Sequence, residues 1–94
     1  MYQELNKRIL ILRDRSFDIE SSKNDGNSSL KLSLENNGFA VDVFTDPFLA
    51  LQTFNDNMYS MIIVMMNLTK TEAFELYYQF RNIDKTIRIC FLDN

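Results

Sequence analysis

Four short sets of reactive side chains each follow an apolar run. Arg13-Asp14-Arg15 comes after Arg8–Leu12, and Thr45-Asp46 after Phe39–Phe44. Met65-Met66-Asn67-Leu68 closes and follows Met61–Met66, and Asp93-Asn94 comes after Ile87–Leu92. If the runs are parallel strands, these sets lie together at the carboxyl ends of the sheet, where α/β proteins collect their function. The chemistry on offer is carboxylate, hydroxyl, tyrosine, lysine and the single thiol of Cys90. Histidine is absent from all 94 residues. That removes catalytic triads, histidine–zinc sites, the usual near-neutral general base and any role as a phosphohistidine carrier.

The runs themselves predict the elements that would hold those sets in place. Arg8–Leu12 is rich in β-branched residues, is too short for a helix and reads as a buried strand. Arg15–Ser29 is polar and serine-rich around Asp25-Gly26, the composition of a loop. Leu30-Lys31-Leu32-Ser33-Leu34-Glu35 alternates like a strand. Capping at Ser28 or Ser29 and a left-handed closure at Asn37-Gly38 nevertheless favour a helix. Phe39–Phe44 predicts an edge strand with one wetter face. Asp46-Pro47 then supplies an N-cap and a first-turn proline, with Phe48, Leu51, Phe54 and Met58 expected along one buried stripe. Met61–Met66 is apolar throughout, as a central strand covered on both faces must be. Thr69-x-x-Glu72 is a capping box opening a helix whose Ala73, Leu76, Tyr77 and Phe80 share a face. Ile87–Leu92 is the fourth strand. The order β-α-β-α-β-α-β predicts an α/β fold with a parallel sheet and helices on both faces, as a single domain over residues 1–94.

Composition narrows the function classes. At 46% hydrophobic and 24% charged the chain can build one core, which excludes disorder. Its longest apolar run falls far short of the roughly 20 residues of a membrane span. Met1-Tyr2-Gln3-Glu4 does not read as a signal peptide. A lone cysteine fits a reducing cytoplasm. A formal charge of −3 argues against a nucleic-acid backbone binder. Asp18, Glu20 and Asp25 lack calcium-loop spacing, and the sequons at Asn27 and Asn67 carry no meaning without secretion. Met61, Met65, Met66 and Cys90 are soft ligands suited to Cu(I), but Met65 and Met66 must point to opposite sheet faces, which disfavours one shared site. For Met65 alone, a flexible thioether filling core is the simpler role.

Several stretches carry a family resemblance in their order and spacing. They are Lys7–Leu12 leading to Asp14, Leu34-Glu35-Asn36-Asn37-Gly38-Phe39, and Phe44-Thr45-Asp46-Pro47-Phe48-Leu49-Ala50-Leu51. Tyr59–Val64, and Phe74-Glu75-Leu76 through Ile83-Asp84 to Ile87–Leu92, complete them. The chain resembles the receiver domain of two-component response regulators, a flavodoxin-like fold, along almost its whole length apart from the Arg15–Ser29 loop. In phosphorelay signal transduction such domains accept a phosphoryl group from a histidine kinase onto an aspartate ending the third strand. The resemblance implies an acidic pair for Mg²⁺ after the first strand, a hydroxyl after the fourth and a lysine after the fifth.

Laid onto this chain, the phosphoacceptor position falls on Met65, and a thioether cannot form an acyl phosphate. The acidic pair falls on Arg13 and Asp14, which leaves one carboxylate beside a fixed positive charge. The hydroxyl position falls on Asp93, and Asn67 matches the residue whose backbone carbonyl ligates the metal. Thr69 replaces a usual proline and Ala73 a usual glycine. The fifth strand, its lysine and the last helices have no counterpart. The expectation is a degenerate pseudo-receiver with no catalytic residues and no cofactor, Mg²⁺ at Asp14 being disfavoured with a single carboxylate. Arg13 or Arg15 paired with Asp93 or Asp14 would replace metal and phosphate with an internal ion pair. An active receiver using a displaced carboxylate is the alternative. Without a fifth strand, Ile87–Leu92 would be an open edge, so a protein partner or self-association (a symmetric dimer by default) is expected there.

Overall fold

A computed structural model describes residues 7–14 and 26–92. The elements run β1 (Arg8–Arg13), α1 (Gly26–Asn36), β2 (Ala40–Phe44), α2 (Pro47–Thr53), β3 (Met61–Met65), α3 (Lys70–Ile83) and β4 (Arg88–Phe91). The four strands form one sheet in the order β2-β1-β3-β4, and every pairing is parallel. This matches the first four strands of the 2-1-3-4-5 flavodoxin-like order. The fold is therefore α/β, with the apolar β1 and β3 inside and the wetter β2 at an edge.

Strand alternation divides the interior into two cores. Leu10, Leu12, Ile62 and Val64 point to one face and meet Ala50, Phe54, Leu76, Phe80 and Ile87. Phe80 is fully buried and sits edge-on to Phe54, with ring centroids 5.0 Å apart. Burying one such side chain contributes about 1.5–3 kcal/mol. Ile9, Ile11 and Ile63 point to the opposite face, where Leu30, Leu34, Phe39, Val41, Val43, Met61 and Met65 pack on them.

Local chemistry sets where the helices begin and end. Asp46 Oδ1 accepts the Phe48 N–H at 2.9 Å, and Pro47 opens α2. Thr69 and Glu72 cap α3 reciprocally, at 3.1 and 2.9 Å. α1 ends in a Schellman motif: Phe39 N–H donates to Leu34 O, Gly38 N–H donates to Glu35 O, and Gly38 holds φ 92°. Phe39 and Leu34 both pack against the Ile9, Ile11 and Ile63 cluster.

Two expectations need correction. α1 starts at Gly26, so Ser28 and Ser29 lie inside the helix and not at its cap. The described apolar positions of this helix that pack on the sheet are Leu30 and Leu34. The apparent alternation at Leu30, Leu32 and Leu34 is then explained. Positions i and i+4 face the core, while Leu32 remains 57% exposed. Phe48 is not part of the buried stripe of α2; it is 72% exposed, and the buried residue of that helix is Ala50. α2 has only seven residues, so Ala50 and Phe54, one turn apart, define its inner side, and Met58 packs from the following loop. The part of the Arg15–Ser29 loop at 15–25 lies outside the described residues.

Candidate functional site at the carboxyl end of the sheet

Parallel pairing brings the ends of β1 and β3 side by side. Arg13 and Met65 are register partners, and the Asp14 N–H donates to the Met65 carbonyl at 3.2 Å. Met65 is half-buried and belongs to the α1-side core. A cleft of about 490 Å³ opens above it, lined by Ile11, Arg13, Lys31, Val41, Asp42, Val43 and Met65. Sulfur and aliphatic carbon there meet the charged Arg13, Lys31 and Asp42. Lys31 comes from α1, where its Nζ lies 3.5 Å from Glu35 Oε2, one turn on.

The candidate residues divide clearly. Arg13, Asp14 and Met65 are brought together. Asn67 follows β3 and is exposed. The Asp46 carboxylate caps α2 and the Thr69 hydroxyl caps α3, so both serve helix ends. Asp93, Asn94 and Arg15, with the ion pairs expected of Arg15 and Asp93, lie outside the described residues. Among the described residues no three Asp, Glu or Cys side chains gather as metal ligands. One carboxylate beside an arginine does not fit a divalent-cation site, which calls for several oxygen ligands. Met61 and Met65 lie on the α1-side face, and Cys90, as register partner of Ile63, lies on that face too. Met66 packs into the other core, so the four soft ligands are divided between two faces.

Sequence reasoning missed two polar centres. Tyr59, which leads into β3, donates its hydroxyl to Asp42 Oδ2 at 2.7 Å, and Arg8 Nε donates to the same oxygen at 3.2 Å. Burial, reinforced by the neighbouring carboxylate, pushes the Tyr59 hydroxyl up to about 12. The Tyr59 hydrogen bond, aided by Arg8, holds Asp42 below the usual carboxylate range. A tyrosine this reluctant to ionise cannot act as a base near neutrality. The trio fastens the edge strand β2 to its neighbours.

The second centre is Asp84, which is only 2% exposed. It accepts the Asn57 N–H, the Thr86 N–H and the Thr86 hydroxyl, each at 3.0 Å. Burial pushes its carboxyl up, but these bonds together outweigh that and hold it below the ordinary range. Asn57 has φ 63°, so the carboxylate also steadies a left-handed backbone. Asp84 ties the α2–β3 loop to the α3–β4 turn, at the amino ends of the strands and away from the candidate site. The local pattern Asp84-Lys85-Thr86 between a helix and a strand is an Asx-turn signal that could have flagged it. The Tyr59–Asp42 contact has no such local trace, because its partners are 17 residues apart.

No family model, no curated protein and no solved structure matches the chain. Among the described residues no helix is long and apolar enough to cross a membrane.

Proposed function

We propose that the chain is a pseudo-receiver: a cytoplasmic, phosphorylation-independent protein-interaction module of two-component signalling, not an enzyme. The observation that carries this reading is the end of β3. There Met65, and not a carboxylate, ends the strand, with Arg13 paired beside it. Acyl-phosphate chemistry requires an oxygen nucleophile and a cation to neutralise the incoming phosphoryl charge. The end of β3 supplies a thioether instead. Deprived of that reaction, the scaffold retains surfaces. One apolar surface flanks β4, where Ala73, Phe74, Tyr77 and Phe91 line a shallow groove. A protein partner, such as a histidine kinase or another signalling protein, would bind there.

The test is incubation with acetyl phosphate and Mg²⁺, followed by intact mass. No phosphoryl adduct is expected. A second reading, phosphotransfer onto a displaced carboxylate, draws on the Asp14 backbone contact with Met65, which sets that carboxylate-bearing residue beside the β3 end. A Mg²⁺-dependent adduct that disappears in Asp14→Asn would establish this second reading and sink the first.

A further inference from the structure

Resting on the reading of this chain as an interaction module, we infer that the β4 edge binds a second copy of itself, antiparallel and two-fold symmetric, with the axis passing through Cys90. The backbone carries the inference. Leu92 donates its N–H inward to Val64 O. Because successive residues of a strand turn their backbone groups to opposite sides, Arg88 and Cys90 also pair inward, while Ile87, Ile89 and Phe91 turn outward. Ile87 is already engaged: its N–H donates to Asp84 O and its carbonyl accepts Arg81 Nη1 at 3.0 Å. Among the described residues nothing takes up the outward groups of Ile89 and Phe91. The edge therefore offers two hydrogen-bonding positions, placed symmetrically about Cys90.

That pattern is complementary to itself. Turning a second copy about an axis through Cys90 sets Ile89 opposite the partner's Phe91, and Phe91 opposite the partner's Ile89. Each is a hydrogen-bonded pair that exchanges two N–H···O bonds. The β-branched and aromatic side chains so matched make a favourable cross-strand pair. Arg88 falls opposite the partner's Leu92, so no like charges face each other. Shifting the axis to Ile89 would demand the backbone groups of Ile87, which are taken. The two sheets become one, joined edge to edge. Phe91, 41% exposed on the described chain, is matched across the new seam. A heterologous β2-to-β4 contact would instead build a ring or a filament.

The register makes a chemical prediction about Cys90, which is free and exposed. Two copies of Cys90 form a non-hydrogen-bonded pair with Cα atoms about 4.5 Å apart, within the range of roughly 4.4–6.8 Å that a disulfide spans. Light scattering on the reduced 94-residue chain should give twice its 11.1 kDa mass. Mild oxidation with copper phenanthroline should then trap that dimer quantitatively through Cys90. Moving the thiol one position, as Cys90→Ser with Ile89→Cys, should abolish trapping while the dimer persists. Phe91→Pro removes an outward N–H without touching the β3 ladder, so it should yield a folded monomer with an unchanged circular dichroism spectrum. A monomer at all concentrations overturns the inference, as do higher filaments or a dimer whose Cys90 resists trapping. Those results leave the phosphodonor experiment untouched, so failure here is separable from failure of the proposed function.

Discussion

Asp84 illustrates how a single carboxylate can organise two connections without taking part in chemistry. It is buried, charged and saturated by donors from Asn57 and Thr86. Asp84→Ala removes the charged acceptor of two part-buried backbone hydrogen bonds, from Asn57 and Thr86, so a loss of roughly 2–3 kcal/mol is expected in urea titration. The pH dependence follows from the direction of its shift. The native carboxyl lies below its ordinary value of 3.8, so the unfolded chain takes up the proton first on acidification. The Asp84 contribution is then fully present above about pH 4 and is lost as pH falls toward the depressed native value. Acid titrations of the parent and of Asp84→Asn should diverge above that point and converge below it; parallel curves would remove Asp84 from the account. Met65 stands at the other extreme, as its identity alone, readable from the sequence, excludes an acyl phosphate at that position.

The elements follow their local signals closely, because caps and turns act over a few residues. Asp46-Pro47, Thr69-x-x-Glu72 and Asn37-Gly38 all function as their residue types imply. Gly38→Ala tests the last. An added Cβ would meet nothing nearer than Lys7 Nζ at 3.9 Å, so the cost is backbone strain alone, about 1 kcal/mol. Thr69→Ala should cost a similar ~1 kcal/mol through loss of the cap. Both are measurable as shifts in the denaturation midpoint at unchanged slope, whereas a changed slope would point to a different folded state. The start of α1 and the stripe of α2 were less legible. Apolar periodicity reports only where a helix touches the sheet, and so it misplaced the start of α1 and the inward side of the short α2.

At the scale of the whole molecule, the sheet order gives β1 and β3 two neighbours each and β2 and β4 one. Amides of Ile9–Leu12 and Ile62–Val64 should therefore exchange with solvent only through global unfolding, and those of Val41 and Val43 much sooner. Hydrogen exchange followed by NMR reads this directly, and equal protection across β1 and β2 would contradict it. The sequence by itself determined the order of elements, the caps of α2 and α3, the closure of α1, the parallel α/β class and the absence of a carboxylate at the end of β3. Each of those depends on residue identity or on neighbours a few positions away. Only the tertiary structure decided that Tyr59 reaches Asp42, that Asp84 joins two distant loops, and that Ile87 is engaged while Ile89 and Phe91 turn outward. Those facts depend on strand register and on which way each backbone group points, and contacts between residues far apart in the chain set both.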